Sequence, residues 1–487
     1  MPGRWHKQCG NCLPIGADMT LDKPRTDRQR ARLLGGLGLL VVLVAISMLY
    51  APLWSLAAGV GLFSAGLAQY LSRGHSGTVS IRSNGLLGKL WVGFWFITAA
   101  NPGIALLARP NLYLWSVFSV ATSVAFLGLL LALLALRNHN RKSRRRQSLA
   151  LVSAFLILLV AALSLATTPL VLGDRILAAW GSYISLSCQV VFVLGIFHVQ
   201  RGTIALLRGL ATGLTAGVTL TLVLLLISGG LGSARFGDVE VLHPNTVGAL
   251  AGIGLIVALT IGRHLNLPTR ALSLLFFPIA LVLSFSKTSI VATLFAVAIW
   301  LLLSSYRERL TRSFLILAAA FGLWALAGNF VIDNLFQYFA NQDRAMSLSG
   351  RVALWEETVR LSRDRPILGF GFATFPDVIA SRSTGLDWNV NRIVHAHNSY
   401  LTVLLEQGLV GLALHVWFIL VCAFFVFRMW RRDGRTIEVV FAATVLTFLV
   451  VRSFSEGSLA LRGDFLYLAV LSALLESRWL QPSSENV

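Results

Sequence analysis

The chain has 487 residues, of which 56% are hydrophobic and only 13% charged, and its formal net charge is +20. Soluble globular chains carry about 25% charged residues, so this composition excludes an ordinary soluble domain and indicates an all-α polytopic membrane protein. The basic residues lie in short clusters between apolar runs, which favours contact with anionic lipid headgroups and argues against nucleic acid as a partner.

The chain begins with a polar, basic segment, residues 1–32, which we expect to be a cytoplasmic tail. No short apolar stretch with a small-residue cleavage site follows it, so we do not predict a cleaved signal peptide. Cys9 and Cys12 form a CGNC pair, but no second pair completes a zinc site. We interpret them as ordinary tail cysteines.

Apolar runs long enough to cross a bilayer recur through the rest of the chain. Some are separated by only two residues and are short enough to be half-helices, so the prediction is twelve to fourteen transmembrane helices. The predicted spans lie near 33–50, 52–71, 90–108, 112–136, 149–170, 178–198, 204–228, 246–262, 271–285, 288–305, 313–330, 397–427, 437–452 and 464–478.

The distribution of Lys and Arg predicts the orientation. With the N-terminus inside, 28 basic residues face the cytoplasm and 6 face outwards in short turns, so both termini are expected inside. The predicted organisation is the tail 1–32, an N-terminal bundle 33–228, a core 229–330, an outer loop 331–396, C-terminal spans 397–478 and a second tail 479–487.

The outer loop 331–396 contains seven Arg and seven acidic residues, and it is far longer than an ordinary connection. Val352, Trp355, Val359 and Ser362 fall at helical spacing, which predicts one face of an amphipathic helix ended by Pro366. Because the loop also contains several Phe and Trp residues, we expect it to fold against the membrane surface.

Two basic residues on the outer side stand out, because positive charge is depleted there. Arg235 lies in a glycine-rich external segment, and Lys287 interrupts an apolar stretch of some thirty residues. Such a lysine faces a cavity or polar partner, or it snorkels from a turn. Together, Arg235 and Lys287 are candidates for an anion site that binds a lipid diphosphate.

His397 is the candidate general base, since an imidazole can accept a proton from a hydroxyl near neutral pH. His395 competes with it on residue type alone, and an interfacial or capping histidine is the structural alternative. Glu406 lies two turns further into the following span, where it could instead make a hydrogen bond or salt bridge. The chain has no Walker, GxSxG, HExxH or DxD-like motif, so we expect no metal and no cofactor.

The segment from His397 to Gly411 fits the pattern H-N-x9-G-x-x-G, and G-R-x3-W and P-I-L-G-F-G precede it at Gly350 and Pro366. With HPNTVG at 243–248, this order resembles the O-antigen ligase and O-antigen polymerase superfamily over roughly residues 230–475. The resemblance implies that His397 is the catalytic histidine and that two outer basic residues engage a diphosphate. Arg235 matches the first, and Lys287 stands where an S-R pair is usual. The supporting residues are Arg351, Trp355, His395, Asn398, Gly408 and Gly411.

The resemblance further implies a function in lipopolysaccharide biosynthesis in a bacterial inner membrane. The expected enzyme is an O-antigen ligase that moves a glycan from undecaprenyl diphosphate to lipid A-core on the periplasmic side, inverting and without a metal. The alternatives are a polymerase that uses a lipid-linked repeat unit as acceptor, and a transporter or flippase of lipid-linked sugars. A transporter would show an internal repeat, and we find none.

Overall fold

The computed structural model describes residues 79–107, 112–137, 149–167, 175–199, 202–227, 243–304, 351–383, 395–457 and 463–479. These residues form α-helices joined by turns, and no strand occurs among them. The helices are α1 (Val79–Leu107), α2 (Leu112–Arg137), α3 (Leu149–Ala166), α4 (Arg175–Val199), α5 (Thr203–Ile227), α6 (Pro244–Ile261), α7 (Leu267–Leu283), α8 (Lys287–Leu302), α9 (Arg351–Ser362), α10 (Phe375–Arg382), α11 (Ser399–Asp433), α12 (Ile437–Ser453) and α13 (Gly463–Trp479).

Four stretches within the described ranges are long and apolar enough to cross a membrane: Ala179–Phe197, Thr203–Leu225, Pro244–His264 and Ser399–Asp433. Several shorter apolar helices accompany them, so the all-α polytopic class is confirmed. The count of twelve to fourteen spans stays a prediction, because the expected spans at 33–50, 52–71 and 313–330 lie outside the described residues. The orientation and the six predicted segments also stay predictions.

Glycines let two helices of the N-terminal part approach closely. Gly209, Gly213 and Gly217 form a stripe on α5, and a Cβ at Gly213 would lie 2.5 Å from the Val92 carbonyl oxygen of α1. Helices packed in a bilayer commonly use small residues at such spacing, because van der Waals contact between backbones replaces the hydrophobic effect. Trp91 of α1 completes the contact, since its indole N–H donates to the Leu206 carbonyl at 2.7 Å.

Helix α6 packs against three helices of the C-terminal half, α7, α8 and α12. Gly248 lies against Ser284, Ser286 and Ser289, at the corner between α7 and α8. One turn later, Gly252 lies between Thr293 of α8 and Phe448 of α12. These contacts place the first turns of α6 and α8 at the same end of the bundle.

Helix α11 is kinked at Gly408, where the backbone has φ 66° and ψ −166°. The PILGFG segment docks on this kink: Pro366 accepts the N–H of Leu409, and Phe370 and Gly371 donate to the carbonyls of Leu405 and Glu406. A Cβ at Gly408 would lie 2.2 Å from the Ile367 carbonyl oxygen, so only glycine fits. The outer loop is therefore attached to the helix that follows it.

The buried face of α9 differs in part from the prediction, since Ser362 is buried and Trp355 is partly buried, as expected, but the two valines are not. Leu354, Thr358 and Leu361 are buried against α10 and the start of α11, whereas Val352 and Val359 are 41% and 36% exposed. The sequence contains two interleaved apolar stripes, and docking on α11 buries the one with the two leucines. The helix also ends at Ser362, before Pro366 is reached. The described part of the loop does fold, but against the protein's own helix α11.

Candidate functional site

The site begins at the first turn of α11. Asn398 is the N-cap of this helix, and its side-chain oxygen accepts the backbone N–H groups of Tyr400 at 3.0 Å and Leu401 at 3.2 Å. Asn and Asp are favoured at this position because they satisfy amides that have no partner within the helix. Asn398 therefore fixes where α11 begins and, with it, the place of His397.

His397 lies directly before this cap in a left-handed backbone conformation, with φ 50°. Few non-glycine residues adopt this conformation, and Asn, Asp and His are the most frequent among them. The backbone N–H of His397 donates to Nδ1 of His395 at 3.0 Å, which closes a tight turn. The two imidazole rings lie 4.4 Å apart, centroid to centroid.

Glu456 is the centre of the site, and the sequence analysis did not identify it. It is buried in the turn that follows α12, and its Oε2 lies 3.6 Å from Nδ1 of His397 and 3.9 Å from Nε2 of His395. Nδ1 of His397 is buried, whereas the side chain as a whole is 26% exposed. The exposed part of the side chain therefore lies away from Nδ1.

Three further elements contact the same turn. Asn245, in the first turn of α6, donates its side-chain N–H to Oε1 of Glu456. Arg351, the first residue of α9, places Nη2 3.6 Å from Oε1 and donates through Nη1 to the Ser455 carbonyl at 2.9 Å. Ser399 donates its hydroxyl to the Glu456 carbonyl. Four chain-distant segments therefore meet at Glu456.

The electrostatics of the cluster keep Glu456 ionised. Burial by itself would raise the pKa of its carboxyl, but the His397 and His395 imidazoles and the Arg452 guanidinium outweigh this and lower the pKa to about 2. Burial has the opposite effect on a cation: together with the neighbouring His397 it lowers the pKa of His395 to about 3. His395 is thus neutral at physiological pH.

Arg351 and Trp355, the two side chains of the G-R-x3-W motif, attach α9 to the site. The indole N–H of Trp355 donates to the carbonyl of Ala396, the residue before His397, at 2.8 Å. One end of α9 is therefore held by Glu456 and Ser455, and its first full turn is held by Ala396, next to His397. The motif therefore attaches α9 to the site through both Arg351 and Trp355.

The two glycines of the H-N-x9-G-x-x-G pattern have a structural role at the place where the PILGFG segment docks on α11. Gly408 forms the kink, and a Cβ at Gly411 would lie 2.2 Å from Cβ of Gln407. Glu406 is buried there, and its Oε1 accepts the backbone N–H of Phe375 at 3.2 Å, at the start of α10. Of the two roles considered for Glu406, the structure shows the hydrogen bond.

Lys287 is the first residue of α8, and its side chain is exposed at the corner between α7 and α8. Phe285 in this corner has φ 46°, and the Ser286 N–H donates to Oγ of Ser284 at 3.2 Å. The corner packs on Gly248, three residues after Asn245 on α6, so it lies roughly 4.5 Å further along that helix than the Glu456 contact. Arg235 lies outside the described residues.

His395, His397 and Glu456 also form a group whose ligand atoms lie within 4.8 Å of one another, close enough to hold a metal ion. The surroundings favour an anion instead, since Arg351 and Arg452 already supply positive charge and Asn245 occupies Oε1 of Glu456. Independence from metals stays a prediction.

The polar and charged residues around Glu456 and His395 include four that were not predicted as site residues: His243, Asn245, Arg452 and Glu456. Two signals in the sequence pointed towards them. The HPNTVG segment contains the first two, and Arg452 is one of the few basic residues expected on the outer side, four residues before Glu456. Neither signal indicates that these segments meet.

Residues 271–416 match the protein-family model described as O-antigen ligase. The matched segment includes Lys287, Arg351 and His397, whereas Asn245 and Glu456 lie outside it. A comparison with curated proteins finds no match.

Proposed function

We propose that the chain is an O-antigen ligase, because residues 271–416 match the family model of that description, whose members are glycosyl-transferring enzymes with lipid-linked substrates. It would transfer a glycan from undecaprenyl diphosphate to lipid A-core, on the periplasmic side of a bacterial inner membrane. The observation that carries this proposal is the His397–Glu456 pair, which leaves one imidazole edge open at the end of a membrane bundle.

The proposed chemistry uses His397 as the general base. Its Nδ1 faces the Glu456 carboxylate, which favours the tautomer with the proton on Nδ1 and leaves Nε2 free to accept one. The acceptor hydroxyl gives its proton to Nε2 while its oxygen forms a bond with the anomeric carbon of the donor sugar. The imidazolium that results is stabilised by Glu456. The distance of 3.6 Å is long for a hydrogen bond, as is common before substrate binds.

The bond that breaks joins the anomeric carbon to the diphosphate, which leaves with the electron pair. We propose that Lys287 and Arg235 stabilise this developing charge. The N-terminal turns of α6 and α8 lie at this end of the bundle, and helix N-termini attract phosphate. Attack from the side opposite to the diphosphate inverts the configuration.

The acceptor has a route along α9. Val352, Trp355, Glu356, Val359, Arg360 and Arg363 line an open groove of about 410 Å³. This volume lies in the range of ~300–1,000 Å³ typical of ligand pockets. Trp355 is hydrogen-bonded to Ala396, the residue before His397, so this lining residue lies next to the segment that contains His397. We propose that a glycan acceptor lies against the indole ring, with polar side chains on both sides to bind its hydroxyls.

A polymerase remains the alternative function, because it would use the same base and donor site with a second lipid-linked repeat unit as acceptor. A transporter of lipid-linked sugars is less well supported, since transport requires neither a histidine paired with a buried carboxylate nor a site at one end of the bundle. Product formation in detergent, with no membrane to cross, would exclude transport as the main activity.

The test is glycan transfer by the purified protein, supplied with an undecaprenyl-diphosphate glycan and either lipid A-core or a second lipid-linked repeat unit. We expect product with lipid A-core, and loss of at least about a hundredfold in turnover for His397→Ala. Full transfer by His397→Ala would reject the base, and product with only the repeat unit would identify a polymerase. Loss of activity in EDTA that a divalent ion restores would reject metal independence.

A further inference from the structure

Two histidines outside the proposed chemistry make the same unusual turn. Nδ1 of His395 accepts the backbone N–H of His397 at 3.0 Å, and Nδ1 of His243 accepts the backbone N–H of Asn245 at 3.2 Å. In each case the ring accepts from the residue two positions later, as the side-chain oxygen of an Asn or Asp does in an Asx turn. The second turn is also the N-cap of α6.

The residues that these turns fix engage the same carboxylate. Asn245 donates to Oε1 of Glu456, and Nδ1 of His397 lies 3.6 Å from Oε2. The two turns come from segments about 150 residues apart in the chain, yet they meet the two oxygens of one buried side chain. Asn245 holds Oε1, and Arg351 lies 3.6 Å from the same oxygen, so the carboxylate is oriented with Oε2 towards Nδ1 of His397.

We propose that His243 and His395 are paired positioning residues, each of which fixes through its Nδ1 the residue that contacts Glu456. They thereby hold His397 with Nε2 towards the acceptor; this role rests on the proposed function. Neither ring touches the reacting atoms in this arrangement. The proposal also gives the two histidines of the HAHN segment different roles. Nδ1 of His395 already accepts a hydrogen bond in the turn, so His395 is a positioning residue and His397 is the base.

The packing around His395 supports a fixed orientation. A Cβ at Gly457 would lie 2.5 Å from Cγ of His395, so the absence of a side chain at residue 457 makes room for the ring. An imidazole that accepts through Nδ1 must be neutral and carry its proton on Nε2. The low pKa of His395, about 3, agrees with a ring that stays neutral in this place.

The decisive variants replace each histidine by a residue that keeps or loses the acceptor. Asn can accept the same N–H through Oδ1, whereas Leu has similar bulk and no acceptor. We expect His395→Asn and His243→Asn to keep turnover within about threefold. The Leu variants should lose about ten- to a hundredfold in kcat, with the KM values for donor and acceptor changed less than about twofold.

Two results would overturn the proposal. Wild-type kcat in both Leu variants would show that the turns are dispensable, and equal losses in the Asn and Leu variants would show that the imidazole itself is required. Thermal melting and gel filtration of each variant would exclude global misfolding as the cause of a loss.

A measurement without turnover separates this proposal from the proposed function. In ¹⁵N-histidine-labelled protein, assigned by single replacements, Nδ1 of His243 and His395 should be unprotonated at pH 7 and Nε2 protonated. A protonated Nδ1 in either ring would contradict the turn, even in a protein that transfers glycan. The expected tautomers in a protein that makes no product would reject the function and leave the turns in place.

Discussion

Replacing Glu456 by Gln tests the centre of the site, because it removes one charge and almost no volume. The Gln side chain can still accept from Asn245 through its carbonyl oxygen, so the packing should survive. The stabilisation of the imidazolium that forms on His397 would be lost. We therefore expect a fall in kcat with little change in the KM for the donor.

The size of the effect follows from the geometry. Unit charges 3.6 Å apart attract by roughly 4–5 kcal/mol at an effective dielectric constant of about 20, which is an upper bound for this pair. Charge-assisted hydrogen bonds contribute about 1.5–3 kcal/mol in mutational series. The expected loss in kcat is therefore between about tenfold and a thousandfold.

Helix α12, which precedes the turn with Glu456, provides a matched control. Glu438 is also a buried carboxylate, but it lies at the opposite end of α12 and accepts a hydrogen bond from Thr203 at 2.9 Å. Glu438→Gln should lose far less activity than Glu456→Gln. The reasoning would be refuted if Glu456→Gln, correctly folded, transferred glycan at the wild-type rate.

Four further predictions concern separate features. Lys287→Ala should lower donor turnover about ten- to a hundredfold while Lys287→Arg retains it; unchanged turnover in Lys287→Ala would remove this residue from the diphosphate site. Gly457→Ala should displace the His395 ring and lower kcat more than about tenfold, and a wild-type rate would show that the ring tolerates the displacement. Because the pKa of His395 falls from 6.5 to about 3 on folding, the free energy of unfolding should decrease by up to roughly 1.4 kcal/mol per pH unit as the pH falls through this window, and His395→Asn should reduce the slope; equal slopes in urea titrations would contradict this. A cysteine at the exposed Ser381, in a protein without its native cysteines, should react with an impermeant thiol reagent in intact cells, and labelling only after the inner membrane is opened would reject the orientation.

The helices were predictable because a bilayer imposes strong limits on sequence. Every span must bury about twenty residues of backbone in apolar surroundings, so runs of apolar residues mark the helices without any knowledge of their neighbours. The predicted break at Ser286–Lys287 agrees with the end of α7 at Leu283 and the start of α8 at Lys287. The buried face of a helix could not be predicted in the same way, as α9 shows. Its apolar residues form two stripes, and only the contact with α11 determines which one is buried.

The site was predictable only in part, for a related reason. His397 and Arg351 belong to local patterns that a reader can recognise along the chain. Glu456 follows His397 by 59 residues, and the contact between them depends on where α12 ends relative to the first turn of α11. An acid in a short external turn has no local pattern of its own. The proposed diphosphate residue Arg235 lies outside the described residues, so its role stays a prediction.

The arrangement of charge around Glu456 bears on how one site can serve a base and a diphosphate together. A neutral imidazole must accept a proton in surroundings that also attract a strongly anionic leaving group. In the proposed mechanism the buried Glu456 carboxylate eases this conflict, since Oε2 lies 3.6 Å from Nδ1 of His397 and its negative charge partly offsets that of the neighbouring guanidinium groups. The corner that contains Lys287 packs on Gly248, roughly 4.5 Å further along α6 than the contact of Asn245 with Glu456. The positive potential is thus expected to act on the donor's diphosphate, while the negative charge acts on the base.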